Sequence, residues 1–378
     1  MAPTRRPGVP PSVSIDVSPA YELLKSIITT IEREEADTYD VGPEWIAEAR
    51  ARAGDELIER AERISHGNVD GFIHLMGIVW DTPAPRTVAA FLDHLRELDA
   101  TEIRLHLVQY YSRDARRHTP AEIMRAALAG DAEAQDEFLR TSYPEYQPWT
   151  DFLRGFFADD PDEFKAELIA VLELWAERVW NPESLTIMPI VERDAEAKRE
   201  LLRELPMEAF ITTATNGVEF DPRPGVEQVV MVPSFMGRPL VSWCEVGATT
   251  LINYPVADES VTAETDAPPL RLVRLSKALA DEKRLRILRA LADGEKSLQE
   301  LADGFGVAKT TMHHHMIVLR TAGLISVAAG SKRYRLRHEM LPDVGALLSG
   351  YLGAATGPSA ASRPPAPTTR RRRTGTEG

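Results

Sequence analysis

The spacing of apolar positions over the first 180 residues predicts a series of amphipathic helices. In "SPAYELLKSIITTIEREEA", Ser18 occupies an N-cap position, Pro19 the first helical position, and apolar residues then recur at helical spacing. Similar patterns, broken by Gly, Pro and Asp, follow in "PEWIAEARARAGDELIERAERIS", "PRTVAAFLDHLREL", "TPAEIMRAALAG" and "DDPDEFKAELIAVLELWAERVW". This part of the chain is therefore predicted to be mostly helical.

Beyond residue 181 the pattern changes to short runs rich in β-branched and aromatic residues. These runs are "GVEQVVMVPS", "PLVSWCEV" and "TTLINYPV", accompanied by one charged helix around "ERDAEAKRELLREL". We predict a mostly helical domain with a small antiparallel sheet over residues 18–256, which makes the fold class α+β. The Pro-rich residues 1–17 are predicted to be disordered.

The length of the chain predicts two domains, because 378 residues exceed the roughly 250 to 300 that one core serves. "ADESVTAETDAPP", residues 257–269, has the low apolar content and the prolines of a linker. A second domain is predicted over residues 270–352. Residues 353–378 read as a disordered basic tail, in which Arg370–Arg373 are either solvated or weakly attracted to DNA.

Charge is distributed unevenly between these two parts. Residues 271–340 hold 14 Lys and Arg against 7 Asp and Glu, a net charge of +7, whereas residues 1–270 hold 25 against 49, a net charge of −24. A compact basic segment is typical of a nucleic-acid-binding module, and the acidic part should avoid phosphate backbones. The chain contains neither a secretion signal nor an apolar run of roughly 18 residues, so a cytoplasmic protein is predicted.

Residues 270–340 show four short helical patterns followed by a hairpin pattern. Ser297 and Glu300 have the spacing of a capping box that opens the short helix "LQELADGF", which Gly304 and Gly306 end. After a short turn comes the helix of "KTTMHHHMIVLRTAGLI". Two short helices joined by a tight glycine-containing turn, the second rich in Lys, Thr and His, are the sequence form of a helix-turn-helix.

The three adjacent histidines of this second helix do not form a local metal site, because successive helical residues point about 100° apart. Met312, Met316 and Leu319 share the face that turns to a core, and His315 borders it as a packed, hydrogen-bonded side chain. The opposite face, predicted to meet DNA, carries Thr310, His313 and His314, with Lys309 at the positive helix N-terminus.

The hairpin that follows, "GLISVAAGSKRYRLRHEM", has a basic tip and one basic face. Arg333, Arg335 and Arg337 alternate along its second strand. A basic ribbon beside a recognition helix is a wing, and Arg335 is therefore a predicted DNA contact. The alternative is an exposed hairpin whose charges only keep the protein in solution.

Residues 270–352, with "ALADEKRLRILRALADGEKSLQELADGFGVAKTTMHHHMIVLRTAGLISV" at their centre, resemble the DNA-binding domain of ArsR-type winged helix-turn-helix regulators. The resemblance implies that Thr310, Thr311, His313 and His314 contact DNA and that Lys332 and Arg333 lie at the wing tip. It also implies a homodimer in which "LPDVGALLSGYL" is the dimerisation helix.

The sequence departs from this family at two points. Ala308 replaces the Ser or Thr that many members carry as the cap of the recognition helix. The module also lacks the paired cysteines and the Asp and His pairs of metal-sensing members, because Cys244 lies elsewhere and is expected to be a small buried apolar residue. Neither a metal site nor a cofactor is predicted.

The N-terminal region shows no motif with the context of an enzyme. Its histidines lack metal-ligand spacing and are expected to be packed or exposed: His66, His74, His94, His106 and His118. The aromatic run "WTDFLRGFF", which contains Trp149, Phe152, Phe156 and Phe157, is expected to be core, with a small-molecule pocket as the alternative.

Taken alone, the sequence predicts a DNA-binding transcriptional regulator that is not an enzyme. Its form would be a homodimeric repressor that binds double-stranded operator DNA. Its N-terminal region would be a dimerising sensor domain for an unknown ligand or partner. One alternative is an enzyme or small-molecule-binding protein with an attached autoregulatory DNA-binding module. Another is a protein–protein adaptor that uses the basic domain as an anchor.

Overall fold

The computed structural model describes residues 10–32, 38–69, 71–108, 119–142, 147–220, 225–261, 268–328 and 333–353. The predictions for His118, Lys332, the side chain of Trp149 and the tail from residue 354, with Arg370–Arg373, lie outside this part of the chain.

The described N-terminal region is mostly helical, which confirms the predicted fold class. Its helices begin where sequence signals place caps: the Ser18 hydroxyl accepts a hydrogen bond from the backbone N–H of Ala20 at 3.0 Å. Gly54, at φ +78°, divides the pattern predicted over residues 43–65 into two helices. The helices are α1 (Pro19–Ile31), α2 (Gly42–Ala53), α3 (Asp55–Ile64), α4 (Gly71–His74), α5 (Met76–Asp81), α6 (Val88–Glu97), α7 (Ala100–Val108), α8 (Ala121–Leu128), α9 (Ala132–Thr141), α10 (Gln147–Ala158), α11 (Pro161–Trp175), α12 (Asn181–Glu204) and α13 (Met207–Ala214).

The strands of the described residues form two four-stranded sheets. In the first sheet the order is β1-β3-β5-β4, and in the second it is β2-β7-β8-β6. The strands are β1 (Ser12–Ile15), β2 (Val218–Glu219), β3 (Gln228–Ser234), β4 (Ser242–Val246), β5 (Thr249–Pro255), β6 (Lys296–Ser297), β7 (Ile325–Ala328) and β8 (Arg333–Leu336).

The first sheet is mixed, so the prediction of an antiparallel sheet is wrong. Strand β3 pairs in parallel with both β1 and β5, and only β4 runs antiparallel to β5. The apolar run of β3 is continuous because both faces of the strand are buried, as is usual for parallel strands. Residues 1–17 were expected to be disordered, but β1 occupies Ser12–Ile15 and pairs with β3.

The two faces of this sheet pack against different helices. Val230, Val232 and Leu251 join the large core of the helical region. On the opposite face, Met231 and Ile252 pack with Phe210 and Ile211 of α13. The sheet is therefore a middle layer, and α13 lies on its outer side.

The start of the predicted linker, residues 257–269, is packed against the N-terminal region. The backbone N–H of Ala257 and the hydroxyl of Ser260 both donate hydrogen bonds to Oδ1 of Asp194, at 2.7 and 3.1 Å. Asp194 on α12 is fully buried. These first residues therefore belong to the folded N-terminal region, although their composition is that of a linker.

The C-terminal module has its own core, formed by Leu275, Ile287, Leu291 and neighbours from every helix of the helix-turn-helix. Its second sheet includes one strand, β2, from the N-terminal region, which the sequence did not predict. The helices of the module are α14 (Leu270–Leu279), α15 (Glu282–Ala292), α16 (Leu298–Phe305), α17 (Lys309–Thr321) and α18 (Leu341–Tyr351).

Candidate nucleic-acid interface

The turn between α16 and α17 is built by local signals that the sequence shows. The Ser297 hydroxyl accepts from the backbone N–H of Glu300 at 3.2 Å, and a carboxylate oxygen of Glu300 accepts from the backbone N–H of Ser297 at 2.6 Å, which completes the capping box. Gly306 ends α16 in the left-handed conformation at φ +63°. The chain turns there, and α17 begins at Lys309 with Ala308 as its N-cap residue.

Helix α17 has one face in the core and the other in solvent. Met312, Met316 and Leu319 are buried, as the pattern predicts. The polar face is exposed over two turns and carries the residues expected to contact DNA: Lys309, Thr310, Thr311, His313 and His314. The structure thus brings these five side chains together on one accessible surface.

His315 is packed between the two faces and close to the start of α15. It is only 9% exposed. Burial lowers the pKa of His315, which the nearby carboxylate of Asp281 opposes. The ring was expected to be hydrogen-bonded, but its Nδ1 has no hydrogen-bond partner among the described residues.

Strands β7 and β8 form the predicted wing hairpin, whose residues 329–332 lie outside the described chain. Arg333 does not point freely into solvent. Its guanidinium donates to the backbone oxygen of Glu295 at 2.7 Å and lies 3.1 Å from a carboxylate oxygen of Glu300. These contacts hold Arg333 against the capping box of α16.

Arg335, a predicted DNA contact, is paired within the chain. Its guanidinium donates to the carboxylate of Glu219 on β2, which also accepts from the Ser326 hydroxyl at 2.7 Å. Arg337, on the same face of the wing, donates to the side-chain oxygen of Asn216 at 3.3 Å. In this structure Arg335 on β8 and Arg337 directly after it are therefore paired with residues of the N-terminal region, and the DNA contact of Arg335 stays a prediction.

Sequence reasoning missed the segment that makes these contacts, residues 215–219. Strand β2 pairs in parallel with β7, and the backbone N–H of Val327 donates to the carbonyl of Gly217 at 3.2 Å. Asn216 and Gly217 both have positive φ, at 53° and 109°. An Asn-Gly dipeptide before an apolar residue is a turn signal, and it was the only local sign of this element.

A second contact joins the module to the N-terminal region through four charged side chains. Arg274 on α14 and Arg238, in the loop between β3 and β4, each pair with both Asp40 and Asp258. The Nε of Arg238 lies 3.3 Å from Asp40, and Nη2 of Arg274 lies 3.3 Å from Asp258. Two cations and two anions thus alternate at this junction, which we call the Arg238–Arg274 cluster.

The aromatic run of α10 packs as core. Phe152 and Phe156 stack with ring centroids 5.4 Å apart, and Phe164 meets Phe156 edge-on at 5.3 Å. The apolar crevice beside these rings encloses room for about one water molecule. The expectation of core packing therefore describes these residues better than a preformed ligand pocket does.

The described histidines of the N-terminal region lie in different environments and do not form a metal site. Burial first, and His106 next, lower the pKa of His74 to about 4. His66 forms a pair with Asp159, with 2.7 Å between Nε2 and the carboxylate. Among the described residues, no group of three or more His, Cys, Asp or Glu side chains is arranged to hold a metal ion.

A family model described as a helix-turn-helix domain matches residues 279–328, which extend from the end of α14 to the end of β7. Comparisons with curated proteins and with solved structures gave no match. The match and the geometry agree that the C-terminal module is a helix-turn-helix domain, the class of module with which transcription regulators bind DNA. None of the described helices is both long and apolar enough to cross a membrane.

Replacing Ala308 by serine is expected to raise the free energy of unfolding by about 1 kcal/mol. Ala308 has extended backbone geometry and gives α17 no side-chain cap. A serine hydroxyl there can accept from a first-turn N–H, as Ser297 does for α16. Urea denaturation measures the change, with Ser297→Ala as the matched control that should lose about as much. Equal stability of Ala308→Ser and the wild type would contradict the prediction.

Proposed function

We propose that the protein is a homodimeric DNA-binding repressor whose helix α17 reads the major groove of its operator. The observation that carries the proposal is the division of α17 into a buried apolar face and an exposed polar face. That helix belongs to a helix-turn-helix domain with a net charge of +7 over residues 271–340, whereas the rest of the folded chain is acidic. Such a basic module is the part of the molecule that a phosphate backbone attracts.

The exposed side chains of α17 suit different contacts with DNA. Thr310, Thr311 and His314 can donate to or accept from base edges, and Lys309 suits a phosphate at the helix N-terminus. Loss of hydration first, and the positive charge of Arg320 next, lower the pKa of His313. The shift favours the neutral imidazole, which offers one donor and one acceptor to a base.

The proposed dimer uses helix α18 of each protomer. Its apolar side chains Leu341, Leu348 and Tyr351, and Leu352 beyond its end, are 43 to 67% exposed. A two-fold axis through this surface buries them against the same residues of a second copy. Two copies of α17 would then address half-sites one helical turn of DNA apart, about 34 Å.

The N-terminal region serves in this proposal as the sensor and is given no catalytic role. What supports this is its direct connection to the DNA-binding module, through β2 at the wing and through the Arg238–Arg274 cluster at α14. A change in the N-terminal region caused by a ligand or partner can reach the module through either contact.

Replacing Thr310 or His314 by alanine is expected to weaken binding to the cognate site by roughly 1 to 3 kcal/mol and to relax preference at one or two base positions. Binding to unrelated DNA should change little, because phosphate contacts remain. Fluorescence anisotropy with duplexes from the DNA upstream of the gene, and with scrambled duplexes, measures both quantities and the number of chains bound per duplex.

The matched controls are Thr310→Ser and His314→Gln, which keep a hydrogen-bonding group at each position and should retain most of the discrimination. Unchanged discrimination in both alanine variants would show that α17 does not read the bases. A stoichiometry of one chain per duplex would contradict the dimer but not the DNA-binding function.

A further inference from the structure

Residues 215–219, which we call the β2 arm, connect the core of the N-terminal region to the wing. The arm follows directly after α13, whose Phe210 and Ile211 are buried against the first sheet. Its turn is held by the Thr215 hydroxyl, which donates to the carbonyl of Ile211 at 2.6 Å and accepts from the backbone N–H of Val218 at 3.1 Å. One end of the arm is thus fixed in one core, and the other end is a strand of the wing sheet.

At the end of the arm a single carboxylate contacts both strands of the wing. Ser326 on β7 and Arg335 on β8 are register partners, and both donate to Oε1 of Glu219. The arm also reaches the end of α17, because Asn216 donates to the carbonyl of Thr321 at 3.2 Å. The wing and the recognition helix are therefore both attached to the N-terminal region through five residues.

The pair between Glu219 and Arg335 is open enough to exchange partners. The side chain of Glu219 is 34% exposed and that of Arg335 is 55% exposed. Ion pairs with this degree of exposure contribute at most about 1 kcal/mol to stability. A DNA phosphate that approaches the wing offers Arg335 a second anion and releases bound counterions, so it can replace the carboxylate.

We propose that Glu219 competes with DNA phosphate for Arg335, an inference that rests on the proposed DNA-binding function. The β2 arm thereby holds the wing in a state of reduced affinity for DNA. The arm is an autoinhibitory contact. Any change in the N-terminal region that draws α13 and the arm away from the wing raises DNA affinity. By thermodynamic reciprocity, DNA that captures Arg335 loosens the arm by the same factor.

The test uses the full chain with Glu219→Gln, which keeps the shape and the bond to Ser326 but removes the charge. Its affinity for DNA should rise about two- to fivefold at 0.1 M salt, because Arg335 becomes available. The slope of log affinity against log salt should steepen by about 0.9, since one more phosphate is neutralised. Fluorescence anisotropy over a salt series measures both on cognate and scrambled duplexes.

The matched control is Glu208→Gln, which removes one negative charge from an exposed position on α13. Glu208 forms no ion pair among the described residues, so this variant reports the general effect of charge and should leave the slope unchanged. Arg335→Gln completes a double-mutant cycle: it should cost more affinity in the Glu219→Gln background than in the wild type.

The outcomes separate this inference from the function on which it rests. An unchanged salt slope, or weaker DNA binding, in Glu219→Gln would overturn the inference, and weaker binding would show that Glu219 positions the wing for DNA. In either case the proposed function would stand if the wild type binds DNA and discriminates between the cognate and the scrambled duplexes. Absence of salt-dependent DNA binding by the wild type and by every variant would overturn the proposed function as well.

Discussion

Replacing Arg238 by alanine is expected to lower the free energy of unfolding by about 3 to 5 kcal/mol. Arg238 is 1% exposed, and its guanidinium lies between the carboxylates of Asp40 and Asp258. Without it, two carboxylates at a largely buried position share the single remaining cation, Arg274, and the volume of the lost side chain is left unfilled. Urea denaturation at pH 7 measures the loss.

Two further arginine variants serve as controls for this prediction. Arg199→Ala removes an exposed pair with Glu196 on α12 and should change stability by less than about 0.5 kcal/mol. Arg238→Lys keeps a positive charge but not the planar fork that faces two carboxylates, so it should recover only part of the loss. A loss of less than 1 kcal/mol in Arg238→Ala would show that water enters and solvates the two carboxylates.

The helix-turn-helix could be predicted from the sequence because its determinants are local. The capping box of Ser297 and Glu300, the left-handed Gly306 and the apolar stripe of α17 all lie within a few residues of the elements they define. Once Met312 and Met316 are placed in a core, helical geometry alone decides that Thr310 and His314 face outward. The exposed surface of α17 therefore follows directly from the sequence.

The state of the wing could not be predicted, because its partners are distant in sequence. Arg335 alternates with Arg333 and Arg337 as a wing strand should, but Glu219, which pairs with Arg335, lies 116 residues away. A strand of two residues, Val218–Glu219, is too short for any periodic signal. Charge counts over each part of the chain likewise concealed that individual acidic and basic residues meet across the boundary.

The same reason explains why the direction of pairing in the first sheet and the packing of the first residues of the predicted linker could not be predicted. The runs of β3 and β5 show that strands exist there, but the order and direction of pairing depend on contacts between residues far apart. Asp258 and Ser260 have the composition of a linker, yet Arg238 and Asp194 bind them. Composition describes the average environment of a segment, whereas one buried partner is enough to order it.

The second large effect that we expect is a dependence of the free energy of unfolding on pH, which arises from Glu22. This side chain of α1 is fully buried, and one of its carboxylate oxygens accepts from the backbone N–H groups of Phe235 and Met236 at 3.1 and 3.0 Å. Burial raises the pKa of Glu22 to about 7, against the lowering effects of Ser234, of the two amides and of the charge on Lys25. The ordinary pKa of glutamate is 4.5.

Because the folded pKa of Glu22 is above its unfolded value, the folded state binds more protons between these two values. The contribution of Glu22 to stability is therefore fully present below pH 4.5 and is lost as the pH rises through 7. Glutamine at this position stays neutral at every pH. Relative to the wild type, Glu22→Gln is expected to gain about 3 kcal/mol of unfolding free energy between pH 4.5 and pH 8.

Urea denaturation of Glu22→Gln and of the wild type at pH 5, 6, 7 and 8 measures the difference directly. Glu208→Gln, which makes the same substitution at an exposed position on α13, is the matched control. The expected result is a gap that widens up to about pH 7, where half of Glu22 is ionised, and levels off at about pH 8, where most of it is ionised. A difference in unfolding free energy that stays constant from pH 5 to pH 8 would show that Glu22 is already ionised at pH 5. The two backbone N–H groups and Lys25 would then compensate for its burial. A gap that narrows as the pH rises would mean that ionised Glu22 stabilises the loop before Arg238, which reverses the sign argued from its burial.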